Sequence, residues 1–324
     1  KLDEKVEQRR SGRRNETGEE DDAEFLTDLT LNLDDVVDVS IDAEEIGVKS
    51  DAMFDSLLES SENAADVKEV VAVAAEIGAK DKENMESVFM NVDQANSVKE
   101  VVSAASDLGA KDKDNLGSVF QNADKADDLK AVIDVAKDTL GTAGEDGEKK
   151  LDTSSASILS STLKNADKAD SMKEVMDVAS DLGAQNKENL QSVFENADKA
   201  DDLKAVMDVA KEALGSDDGS GTNKLDLSNK ANLTSVFQNA DKADSMKSVM
   251  DDAAALGAQD AANLTSVFQN ADKADDLKAV MEVAKATLGS DDGSGTNKLD
   301  LSNKANLTSV FQNADKASDL KEVM

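Results

Sequence analysis

The sequence predicts a mostly α fold: an α-solenoid of stacked two-helix repeats, preceded by a short N-terminal β segment. Three observations carry this expectation. Leu214–Ala243 recurs letter for letter as Leu288–Ala317, at an offset of 74. A Phe in the word SVFxNA returns at Phe89, Phe120, Phe194, Phe237, Phe268 and Phe311, with Leu163 filling one slot and Phe54 a divergent first copy. The spacings alternate between 31 and 43 residues, so a 31-residue unit takes an insert of 12 on every second occasion. Strict periods of this size mark repeat arrays, whose units bury their apolar faces against one another.

Residues 1–24 are polar and read as a disordered or linker-like tail. All four Arg of the chain lie there, in RRSGRR at 9–14. In residues 25–42 the apolar side chains alternate: Leu29, Leu31 and Leu33, then Val37, Val39 and Ile41. Period-two alternation argues for strand. Residues 43–324 form the helical array.

Each unit divides into two helices. In the first, starting at Ala261, Leu264, Val267, Phe268 and Ala271 follow i, i+3, i+4, i+7. In the second, starting near Asp275, Leu277, Val280, Met281, Ala284 and Leu288 continue that rule. Met172, Met176, Met207, Met246, Met250, Met281 and Met324 share the stripe and read as core filling. Gly183, Gly215, Gly257 and Gly289 stand where left-handed C-caps belong. Turn chemistry explains the connector NADKAD. Its Asn suits a left-handed residue, and its Asp suits a cap on the next helix, with Asp272 and Asp275 near capping-box spacing.

The inserts hold the candidate sites. In SDDGSGTNKLDLSN, Asp217, Asp218 and Asp226 supply hard oxygen ligands, and Asp291, Asp292 and Asp300 repeat them. Calcium takes six to eight such oxygens. The EF-hand pattern fails, however, so a plain Gly/Ser/Asp connector is the preferred reading and calcium the alternative. Leu225 with Leu227, and Leu299 with Leu301, alternate like short strands, with Ser228 or Asn229 capping the helix that follows. Such strands can pair with those at Leu29–Ile41, within one chain or between copies, by strand addition. The tripeptide NLT at Asn232, Asn263 and Asn306 matches the glycosylation sequon, but Asn near a helix start is ordinary.

Composition narrows function. The chain has 324 residues, no His, Cys, Trp, Tyr or Pro, and a net charge of −34. Without His and Cys the usual general base and thiolate nucleophile are missing, so an enzyme is not expected. A surface of this charge repels nucleic acid and anionic membranes. No run of 18 apolar residues is present, so no membrane insertion is expected. The array stops in mid-repeat at Met324, which suggests a piece of a longer chain. The expected role is structural: a homo-oligomeric, self-assembling subunit of an extracellular filament, sheath or surface layer. The alternative is a cell-surface adhesin, spacer or binding scaffold, stabilised by calcium. The chain is its own expected partner.

Overall fold

The computed structural model describes residues 19–143, 149–151, 155–217, 223–225, 227–291 and 297–324. It is a mostly α solenoid of two-helix repeats with small β segments. The first helix, α1, is Glu19–Glu45. Eight pairs follow among the described residues: α2 (Asp51–Glu59) with α3 (Ala64–Glu76), α4 (Lys82–Met90) with α5 (Ala95–Asp107), α6 (Lys113–Gln121) with α7 (Ala126–Leu140), and α8 (Ala156–Lys164) with α9 (Ala169–Asp181). Then come α10 (Lys187–Glu195) with α11 (Ala200–Leu214), α12 (Lys230–Gln238) with α13 (Ala243–Ala255), α14 (Ala261–Gln269) with α15 (Ala274–Leu288), and α16 (Lys304–Gln312) with α17 (Ala317–Val323). No helix among the described residues is long and apolar enough to cross a membrane.

Two compact units are present, residues 1–137 with 141–170, and residues 138–140 with 171–324. In the first, α1 packs on α3 and α3 on α5, while α2, α4, α6 and α8 pack in order as a second row. In the second, α11, α13, α15 and α17 form one row and α10, α12, α14 and α16 the other. The anchors Phe54, Phe89 and Phe120 in the first unit, and Phe194, Phe237, Phe268 and Phe311 in the second, are at most 1% exposed. Leu163 is fully buried in the same role. The stripe methionines are buried too, except Met324, which is 57% exposed.

Residues 25–42 correct the strand expectation: they lie inside α1. Two periodicities coexist in this stretch, and packing selects the helical one. From Asn32 on, where burial is described, Val36, Val39, Ser40 and Ala43, at i, i+3, i+4 and i+7, are the buried residues of α1. Val67, Val70, Val71 and Ala74 of α3 repeat that pattern 31 residues later. So α1 fills the place of a second helix, and the stack begins with it rather than at residue 43. Of the expected tail, residues 1–18 lie outside the described residues, and residues 19–24 are the first of α1.

The glycines also divide. Gly183 and Gly257 have φ +57° and end their 13-residue helices in the left-handed conformation, as do Gly47, Gly78 and Gly109 at their turns. Gly215 and Gly289 do not: φ is −71° and −72°, with ψ 160°. They follow 15-residue helices and turn the chain into extended hairpins. Glycine is required there by space, because a Cβ on Gly215 would collide with the Lys211 carbonyl oxygen and press on Asn223. The hairpins are β1 (Thr142–Ala143) with β2 (Lys149–Lys150), β3 (Ser216–Asp217) with β4 (Asn223–Lys224), and β5 (Ser290–Asp291) with β6 (Asn297–Lys298), each pair antiparallel.

Candidate functional site

The connector words do more than turn the chain. Asn122, Asn196 and Asn270 have φ between −116° and −121°, so they are not left-handed; each donates its side-chain amide to the carbonyl four residues back, at 2.8 Å. The ADK that follows is a 3-10 turn, and Lys273 rather than Asp272 holds the N-cap position of α15, with no side-chain cap. The expected box of Asp272 with Asp275 does not form; Asp275 instead accepts from Ser245 of α13 at 2.6 Å.

Side chains reach from unit to unit in fixed ladders. The Ser of SVF accepts from the next unit's connector amide: Ala123 N–H donates to Ser87 Oγ at 3.1 Å, and Ala240 N–H to Ser192 Oγ at 3.1 Å. The Gln after Phe donates backwards: Gln121 Nε2 to Asn84 Oδ1, Gln238 to Asn189 and Gln312 to Asn263, each at 3.0 Å. These Asn are buried; Asn84 and Asn263 donate to the N-cap carboxylates Asp81 and Asp260. The side-chain amide of Asn263, in one of the NLT tripeptides, also donates to the Ala258 carbonyl at 3.1 Å. Lysines form a third ladder. Lys68 binds Asp35 and Asp38 at 2.8 Å, and Lys99 binds Asp66 at 2.8 Å and Glu69 at 2.9 Å. Lys199 reaches Asp244 at 3.0 Å, which holds that carboxyl below its usual range. A buried polar atom is costly unless bonded, so repeated polar letters hold the units in register.

The acidic insert residues are dispersed in role. Asp218, Asp226 and Asp292 lie outside the described residues. Asp217 and Asp291 end β3 and β5, opposite Asn223 and Asn297. Asp300 is exposed and caps the 3-10 turn Leu301–Asn303: it accepts from Ser302 Oγ and from Ser302 N–H at 2.8 Å, and donates its own N–H to Asn303 Oδ1 at 3.0 Å. Those bonds to Ser302 keep its carboxyl below the usual carboxylate range. Among the described residues no three acidic side chains gather as a metal site.

The apolar candidates are placed differently from the strand expectation. Leu29 and Leu31 lie in α1. Leu33, Val37 and Ile41 are 44%, 38% and 52% exposed and, at i, i+4 and i+8, share one helix face, whereas Val39 is buried. Leu225 and Leu299 are buried, just after the hairpins. Leu227 and Leu301 begin 3-10 turns and are 69% and 70% exposed. The expected strand pairings are therefore corrected: each short strand pairs within its own insert, because the partner segment at 29–41 is helical. Asn229 makes no cap bond to α12; it donates to the Leu214 carbonyl at 3.3 Å and so closes the end of α11. Leu227 Cδ2 rests over Gly183, and Leu301 Cδ2 over Gly257, so this contact recurs in both copies.

Sequence reasoning missed the ladders, although the signal was present in the unchanging polar letters of SVFxNADK. No family model matches the chain, no curated protein matches it, and no solved structure matches it.

Proposed function

We propose that this chain is a structural repeat protein, a self-assembling subunit of an extracellular filament, sheath or surface layer. One observation carries the reading: two successive copies present the same exposed leucine, Leu227 and Leu301, at the same turn. Side chains of this size gain about 1.5–3 kcal/mol each on full burial. A contact made by an element that recurs along the chain recurs with it, and a non-closing contact between copies builds open polymers. The stripe Leu33, Val37 and Ile41 adds a second exposed apolar face. The absence of His and Cys agrees with a non-enzymatic role.

Negative-stain microscopy and sedimentation of the purified chain test this, with and without millimolar calcium. Regular filaments or sheets are expected, and Leu227→Ser with Leu301→Ser should abolish them at unchanged helicity. Isolated particles under every condition would overturn the proposal in favour of an adhesin or spacer. Calcium-dependent order would assign the insert carboxylates a role.

A further inference from the structure

Residues 169–229 and 243–303 are successive copies that differ at 12 of 61 positions. Four of those differences fall among the nine described residues that line one open cavity of about 660 Å³, formed by α13, α15 and strand β6. Asp252, Ala255, Glu282 and Ala286 stand there in place of Val178, Asp181, Asp208 and Glu212. Nearly half of the lining has changed, against a fifth of the copy as a whole. Two acidic side chains have become methyl groups, and a valine has become a carboxylate that is only 8% exposed.

The ion pairs rearrange with these changes. In the earlier copy Asp208 lies 3.3 Å from Lys204 and 3.4 Å from Lys211 on its own helix. In the later copy Lys285, the counterpart of Lys211, turns across to Asp252 at 2.7 Å. Asp251 is held by Lys247 at 2.9 Å. Glu282 is left without an ion pair among the described residues, on a wall otherwise made by Ala255, Ala286 and the buried Leu299. Asn297 and Lys298 complete the lining.

We propose that this cavity binds a small organic monocation, an alkylammonium, with its head at the Glu282 and Asp252 carboxylates and its chain against Ala255, Ala286 and Leu299. Its volume lies within the range of small-molecule sites. The apolar wall of Ala255, Ala286 and Leu299 beside the carboxylates suits a cation that carries an alkyl body. Among the described lining residues three carboxylates, Asp251, Asp252 and Glu282, stand against two ammonium groups, Lys285 and Lys298, which leaves charge for one cation. Burial pushes the Asp252 carboxyl above its usual range, and a second cation nearby would favour its ionised form.

Isothermal titration of the full chain with hexylammonium chloride tests the proposal, with n-hexanol and calcium chloride as controls. One saturable site is expected, and hexanol should bind at least tenfold more weakly. Glu282→Gln and Asp252→Val should each weaken hexylammonium at least tenfold; the second restores the residue that the earlier copy carries at Val178. Val178→Asp with Asp181→Ala and Glu212→Ala should add a second site. Absence of saturable binding, equal binding of hexanol, equal displacement by calcium, or unchanged affinity in Glu282→Gln and Asp252→Val would overturn it.

Discussion

Single residues show two distinct reasons for glycine in this chain. Gly183 has φ +57°, a conformation that costs an L residue roughly 1 kcal/mol. Gly215 has an ordinary φ but no room for a Cβ beside the Lys211 carbonyl. Urea denaturation is expected to show Gly183→Ala losing about 1 kcal/mol, and Gly215→Ala losing more, because backbone must move. Asp252 is the other informative residue. Burial raises its pKa in the folded state, so the folded chain holds that proton to a higher pH than the unfolded chain does. Stability is therefore lost as pH rises above the ordinary carboxylate range, and the loss is absent below it. Asp252→Val is expected to raise stability at pH 7 by about 1 kcal/mol, and the gain should shrink as pH falls toward about 4 and stay small below it. Thermal melts across that range measure it; a gain independent of pH would refute the account.

Among elements, α1 is the one whose type changed between sequence and structure. Its alternation of Leu and Val is genuine, but strand pairing needs an open partner and helix packing needs only α3. The signal that settles the matter was readable at a different offset. Glu45–Lys49 is EIGVK and Glu76–Lys80 is EIGAK, 31 residues apart, which places α1 in register with α3. The hairpins teach the converse. Leu225 and Leu227 alternate as expected, inward and outward, yet the strand stops at Lys224 and Leu227 begins a 3-10 turn. Between elements the Ser–amide ladder carries specific weight. Ser87→Ala leaves the N–H of fully buried Ala123 without its partner, at a cost of about 1–3 kcal/mol. Chemical denaturation should show that loss, and hydrogen exchange should show Ala123 deprotected; unchanged exchange there would mean the bond is dispensable.

At the scale of the whole molecule, charge works against compactness. A net charge of −34 repels itself in the folded chain more than in the expanded one. Raising sodium chloride from 0.01 to 0.5 M shortens the screening length from about 30 Å to under 10 Å. The thermal midpoint is expected to rise across that range. A falling midpoint would show that the lysine ladders, such as Lys68 with Asp35 and Asp38, contribute more than the repulsion costs. Exposed pairs of that kind contribute little singly, which is why the rise is the expected result.

Repetition and helical periodicity were legible from residues alone, and so were the helix pairs, the Phe anchors and the positions of the inserts. Those features depend on local spacing and on the burial of apolar side chains, both of which are written along the chain. Other features were decided only by tertiary packing. Whether Leu33, Val37 and Ile41 belong to a strand or a helix depends on what Val36 and Val39 can be buried against. Whether Gly215 is left-handed or extended depends on the hairpin that returns beside it. The pairing of Lys285 with Asp252, and the cavity it borders, arises from side chains 33 residues apart on neighbouring helices. The first and the last of these are contacts between helices separated along the chain, whose energy exists only once those helices have stacked; the second exists only once the hairpin has closed beside the end of its own helix.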